Sequence, residues 1–262
     1  MADDAGESLS SAWPEIVRKI RARTPARLLA GRAGGAYRTS TQIELRDAHA
    51  AARDAVRAEL DLERDFGAAL IERWKLFELS SRARSKDEYL LRPDFGRAFD
   101  DQSRVEVKRH CPAGQKLQLV IGDGLSVTAV SAQVPGLLPL LCDGAQARGW
   151  SLGQAFVIRY CRVGILNEIG ELLSPEVSIL LIGERPGLAT AESLSAYLAY
   201  RPQRDHTDAN RNLISNIHAR GVSLQDAAAR ILHLAERMMK LRASGYQLRE
   251  ELPPAGLPAI KP

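Results

Sequence analysis

Val177-Ser178-Ile179-Leu180-Leu181-Ile182, followed at once by Gly183-Glu184-Arg185-Pro186-Gly187, is the stretch on which the fold turns. A short apolar run ended by glycine and proline has the pattern of a buried strand. The form recurs. Leu117 to Ile121 runs into Gly122-Asp123-Gly124, Ala155 to Ile158 runs into Arg159 to Gly164, and Leu213-Ile214 leads more weakly into Ser215-Asn216-Ile217-His218. The segments between these runs are long enough for crossover helices, so parallel strands are expected. The expected fold is α/β: a Rossmann-like, doubly wound, mainly parallel sheet with an α-rich N-terminal appendage. In such a sheet the strand ends open on one edge and ligands bind there, so the turns should touch whatever is bound.

Working outward, the chain divides into a disordered segment at 1–12, an α-rich region at 13–105, the sheet domain at 106–246 and an extended tail at 247–262. Trp13, Ile16, Val17 and Ile20 can form one face of a first helix that Pro25 ends, and Ala30 to Gly35 reads as loop. A long helix is expected from about Thr41 to Asp61, with Leu45, Ala48, Ala52, Val56 and Leu60 on one stripe and His49 beside it as a structural residue. A second helix is expected within 66–80, around Leu70, Trp74 and Phe77. Arg92-Pro93-Asp94-Phe95-Gly96 reads as a turn. Within the sheet domain, Ser126 should cap a helix that Pro135 and Pro139 break and that closes before Gly149. Ile165, Leu166, Ile169 and Leu172 predict a short helix stopped by Ser174 and Pro175. Ala191 to Tyr200 reads as helix. Ser223 and Asp226 mark the start of a final helix that carries Ala227, Ile231, Leu234, Met238 and Leu241, with Gly245 placed to end it.

Composition narrows the function. Of 262 residues, 45% are hydrophobic, enough for a full core. No apolar run approaches the ~20 residues of a membrane span, and Asp3, Asp4 and Glu7 are unlike a secretory signal. Three dispersed cysteines, Cys111, Cys142 and Cys161, suit a reducing, cytoplasmic compartment and form no metal-binding spacing. The net charge of +4 is concentrated in Arg18, Lys19, Arg21, Arg23, Arg27, Arg32 and Arg38. A basic arm of this kind can neutralise phosphates, but no aromatic residues interleave to stack bases, so a solvated or partner-facing surface is the plainer reading.

The turns carry what chemistry there is. Gly122 and Gly124 begin a dinucleotide fingerprint, but Val127 stands where its third glycine belongs. Glu184 and Arg185 are held between Gly183 and Pro186-Gly187, where they can read amides, carboxylates or phosphates, pair with each other, or cap the next helix. The serines lack a nucleophile elbow, and no histidine is poised beside one. No catalytic residue emerges, which suits a subunit that binds a cofactor while a partner performs the chemistry.

The run Leu181 to Leu188 with Ala191 to Tyr197 resembles the small (light) subunit of ethanolamine ammonia-lyase. Gly31 to Gly34, Leu91 to Arg97, Ile121 to Ser126 and Ile214 to His218 agree in the same order, so the resemblance spans about residues 18 to 246. It implies an adenosylcobalamin-dependent lyase that converts ethanolamine to acetaldehyde and ammonia through an adenosyl radical. It also implies a large, TIM-barrel subunit that holds the substrate, with the small subunit closing over the cobalamin. Catalytic residues would then lie in the partner, and this chain alone would be inactive. Three cofactor contacts carry over, to Val163, Glu184 and Leu213. Val163 would pack on the cofactor, and Glu184 would accept hydrogen bonds from the corrin's amide arms. Leu213 stands where relatives carry cysteine and keeps only a packing or backbone contact; Cys161 stands where glycine is familiar. The basic N-terminal region becomes a large-subunit contact. A cytoplasmic location follows, and packaging in a bacterial microcompartment stays open. The remaining alternatives are a nucleotide-binding Rossmann-like domain, a nucleic-acid module and a purely structural subunit.

Overall fold

A computed structural model describes residues 14–23 and 31–251. The expected disordered segment at 1–12, Trp13, Pro25, Ala30 and tail residues 252–262 lie outside the described residues. Helix α1 (Glu15–Ala22) is followed by a small hairpin, β1 (Arg32–Ala33) and β2 (Ala36–Tyr37), where a loop was expected. Next come α2 (Thr39–Arg57), α3 (Leu62–Phe66), α4 (Ala68–Trp74), β3 (Glu78–Ser80), α5 (Lys86–Leu91) and α6 (Asp101–His110). The central alternation is β4 (Leu117–Gly122), α7 (Val127–Ala147), β5 (Phe156–Arg159), α8 (Ile165–Leu173) and β6 (Val177–Gly183). The chain ends with β7 (Leu194–Tyr200), β8 (Asn212–Ile217) and α9 (Leu224–Leu241).

The six-stranded sheet runs β3-β5-β4-β6-β7-β8. The class is α/β, but the sheet is mixed: β3, β5, β4 and β6 are parallel, whereas β7 is antiparallel to both β6 and β8. Because β8 again runs with β6, five of the six strands point the same way, as a mainly parallel sheet requires; the correction concerns Ala191–Tyr200, expected as helix and found to hold the one reversed strand. Leu194, Tyr197 and Leu198 have helical spacing, but the segment alternates. Leu194, Ala196 and Leu198 enter one core, while Ser195, Tyr197 and Ala199 face the other side. Only ten residues separate β6 from β7, short for a helical crossover, so the chain reverses and pairs along all seven residues of β6.

One face of the sheet buries Leu119, Ile121, Ile179, Leu181, Ala196 and Ile214 beneath α7 and α9. The other buries Val120, Phe156, Ile158, Leu180 and Ile182 beneath α6 and α8. Strands buried on both faces read as unbroken apolar runs, which is why β4 and β6 were legible. Helix α7 passes through Pro135 and Pro139 without breaking. Each interior proline costs about 3 kcal/mol; burial of Val130, Val134, Leu137, Leu138 and Leu141 offsets that. Ser126 caps α7 as expected, accepting from the Ala129 N–H at 3.2 Å. Ser223 likewise accepts from Asp226 N–H at the start of α9. That helix ends on Arg242 in a left-handed conformation, three residues before Gly245. His49 is exposed on α2.

The expected helix at 66–80 stops at Trp74, where Lys75 turns left-handed. Phe77 then packs on Phe156, and Glu78–Ser80 becomes the edge strand of the main sheet. Among the described residues no helix is long and apolar enough to cross a membrane.

Candidate functional site at the carboxyl edge of the sheet

The carboxyl ends of β3, β5, β4 and β6 open on one edge, which β7 leaves and β8 rejoins. All four turns singled out in the sequence therefore meet there. The first and third interlock. The Leu125 N–H donates to the Gly183 carbonyl at 3.1 Å. A Cβ at Gly124, whose φ is +60°, would lie 2.3 Å from that same oxygen, and one at Gly183 would lie 2.0 Å from the Ser126 carbonyl. Only glycine allows these two backbones so close.

Asp123 organises the second turn. Its carboxylate is fully buried and accepts from the Tyr160 N–H at 2.9 Å and the Cys161 N–H at 2.8 Å. Tyr160 adopts a φ of +57°, which β-region residues avoid; the two bonds hold the chain in that bend and aim Arg162 and Val163 outward. Lys86 from α5, also buried, places its ammonium 3.7 Å from the Asp123 carboxylate and over the Tyr89 ring. Burial pushes the Asp123 carboxyl above the usual range, and Lys86 with the turn amides opposes it. Burial equally lowers Lys86, and Asp123 opposes that. Burial raises the Cys161 thiol well above its ordinary value, and Asp123 adds to the rise. Sequence reading missed this pair because Lys86 and Asp123 are far apart in the chain and only the sheet edge joins them.

Glu184 organises the third and fourth turns. Its Oε2 accepts from the Ser193 hydroxyl at 2.8 Å, and its Oε1 accepts from the Ser195 hydroxyl at 2.7 Å and the Asn216 N–H at 3.0 Å. The open alternatives for this residue resolve accordingly: it neither pairs with Arg185 nor caps a helix, but ties three strands. His218 is buried behind it. Its Nδ1 accepts from the Arg220 N–H at 3.2 Å, so Nε2 carries the proton toward Asn216 Oδ1 at 2.7 Å.

Where α8 stops covering the sheet, the outer face of β7 and β8 forms the wall of a cavity of about 410 Å³. Val163, Glu184 and Leu213, the three residues singled out in the sequence, all line it, with Ile182, Tyr197 and Ser215 between them. Leu213 is 46% exposed, large for a leucine in a strand. The cavity adjoins a second of about 890 Å³; Arg162, Val163 and Tyr197 line both. The lining joins apolar side chains to a hydrogen-bonding rim, and its one serine–carboxylate contact, Ser195 to Glu184, has no lining histidine beside it and belongs to the carboxylate that ties the strands. Among the described residues no group of three or more His, Cys, Asp or Glu side chains could hold a metal ion.

Comparison with known proteins agrees along the chain. The family model described as ethanolamine ammonia-lyase light chain (EutC) matches residues 14–249. The ethanolamine ammonia-lyase small subunit of Clostridium perfringens is 39% identical over 235 residues, covering 90% of this chain and 78% of that protein. That of Fusobacterium nucleatum is 41% identical over 231 residues, covering 88% and 76%. That of Clostridium acetobutylicum is 37% identical over 235 residues, covering 90% and 95%.

Proposed function

The chain belongs to the ethanolamine ammonia-lyase small (light) subunit family, and on that premise we propose that it binds adenosylcobalamin jointly with a large subunit that holds the substrate. One observation carries the reading: Val163, Glu184 and Leu213 line a single cavity at the open edge of the sheet.

The residues fit a corrinoid. An ionised carboxylate offers about four lone-pair sites. Glu184 uses three on Ser193, Ser195 and Asn216, which leaves one to accept an amide N–H from the corrin periphery. Those three donors also fix the carboxylate's position, so little ordering is left to bear on binding. Val163 and Leu213 offer apolar surface to the ring, and Tyr197 stands between them. A corrinoid is larger than either cavity, so this chain supplies one wall and a partner the other. When bound, the cofactor supplies the adenosyl radical that starts the conversion of ethanolamine to acetaldehyde and ammonia. This chain's part is to bind, orient and exclude water.

The N-terminal region supports a partner as well. Among the described residues helix α1 buries no side chain, and Ile16 is 63% exposed on a helix that also carries Arg18, Lys19 and Arg21. An apolar stripe left open in this way has the character of a docking face, here for the large subunit.

The test is adenosylcobalamin binding and ethanolamine turnover, first with this chain alone and then mixed with a large subunit. Acetaldehyde from the mixture and none from the chain alone is the expected result. Assembly without cobalamin binding would overturn the proposal.

A further inference from the structure

The second cavity has a chemistry of its own. Six arginines line it against three carboxylates, and two of those carboxylates are already committed. Glu168 accepts from Arg104 and from the Phe99 N–H, and Asp208 pairs with Arg211. Two buried guanidinium nitrogens, Arg162 Nε and Arg211 Nε, have no hydrogen-bond partner. Both belong to rigidly held side chains. Arg162 stacks on the Tyr89 ring at 4.3 Å, and Arg211, its side chain only 4% exposed, is gripped by Asp208 and by Asn167 Oδ1 at 2.7 Å. Arg97 reaches the same cavity across Gly164, where a Cβ would lie 2.9 Å from its Cγ. Burial lowers Arg211, and the nearby charge of Arg97 pushes the same way. Like charges gathered around unpartnered donors form a site for an anion.

We infer that this pocket is an anion subsite and that it takes the phosphodiester of the corrinoid's nucleotide tail. The inference rests on the corrinoid reading above. The amide arms of a cobalamin are neutral, and its one anionic group is that phosphodiester, which hangs to the side of the ring. The two cavities share Arg162, Val163 and Tyr197, so a ring seated against Val163 and Leu213 has its tail beside the arginines.

The experiment compares cobalamin with cobinamide, which keeps the ring and amide arms but lacks the phosphodiester and base. Both are titrated by absorbance into the complex of this chain with its large subunit, in the wild type, Arg162→Gln and Arg97→Gln; Arg97 is exposed, so its variant folds if the other does not. A charge-assisted hydrogen bond lost on one side gives about a tenfold fall in affinity. Each variant should lose about that factor for cobalamin and less than about twofold for cobinamide. Rising salt should narrow the wild-type preference for cobalamin. If both ligands weaken equally, or cobalamin binding is unchanged in both variants, the subsite is overturned and the corrinoid reading stands. If the wild-type complex binds neither ligand, both fall together.

Discussion

The carboxylate of Glu184 accepts a hydrogen bond from the backbone N–H of Asn216 at 3.0 Å, joining the end of β6 to the end of β8 across the intervening strand β7. Asn216 has a φ of +62°, so its amide is turned out of the ladder and toward Glu184. The same carboxylate that we assign to the corrin periphery thus also closes the antiparallel half of the sheet. Binding and local stability are coupled at this residue.

Replacing Glu184 separates the two roles. Glu184→Gln keeps the size but halves the accepting oxygens, and its amide nitrogen can no longer receive a serine hydroxyl proton. We expect a stability loss of about 1–2 kcal/mol in urea denaturation. Corrinoid affinity of the complex should fall about tenfold, equivalent to about 1.4 kcal/mol. An unchanged affinity alongside the stability loss would leave Glu184 a structural tie only.

Leu213 offers the converse. Its side chain is 46% exposed, and exposed positions usually change stability by less than about 0.5 kcal/mol. Leu213→Asp should leave the melting temperature nearly unchanged while weakening cobalamin binding to the complex, because the ring would then meet a charge. Equal binding by the variant would remove Leu213 from the cofactor wall.

Asp123 and Lys86 should behave as a unit. Asp123→Asn leaves a buried ammonium without its counter-charge, a change that typically costs about 3–5 kcal/mol. Removing both charges in Asp123→Asn/Lys86→Met should recover part of that loss, measured as a double-mutant cycle. A double variant no more stable than Asp123→Asn would mean that the Tyr160 and Cys161 amides, not Lys86, account for the cost.

Two glycines test the interlocked turns. At Gly149, φ is +65° with open space, so alanine should cost only about 1 kcal/mol from backbone strain. At Gly124 the same strain is joined by a Cβ 2.3 Å from the Gly183 carbonyl, which must move. Gly124→Ala should therefore be destabilising by about 3 kcal/mol or more in thermal melts, and it should displace the third turn. Equal effects at the two positions would contradict the close approach.

The thiols should be silent in the native chain. All three cysteines are buried, and burial pushes Cys111 and Cys142 up to about 12 and Cys161 well above its ordinary value. The thiolate is the reactive form, so a disulfide reagent at pH 8 should label none of them until denaturant is added. Fast labelling of the folded chain would show an opening that the packing does not contain.

Much of the site was legible because it lies where chain-local rules act. Strands β4 and β6 are buried on both faces, so their apolar runs stand out, and the glycines that follow mark where each run ends, although the contacts that demand those glycines come from neighbouring turns. Tyr197 and Ser195 were misplaced because the segment from Ala191 carries residues at both helical and strand spacing. Arg162 and Arg211 drew no notice, since charged side chains scattered along a sequence do not reveal a shared pocket.

What the sequence by itself determined is the α/β class, the four turns, the caps at Ser126 and Ser223, and the three residues that line the cavity. The class, turns and caps follow from local periodicity and a turn's backbone demands, whereas the three lining residues follow from the resemblance to a known family. Only the tertiary structure decided that β7 runs antiparallel, that Glu78–Ser80 joins the sheet, and that Lys86 meets Asp123. Those outcomes depend on pairing and burial between distant segments, where the free energy of cross-strand contacts outweighs the small differences in local propensity.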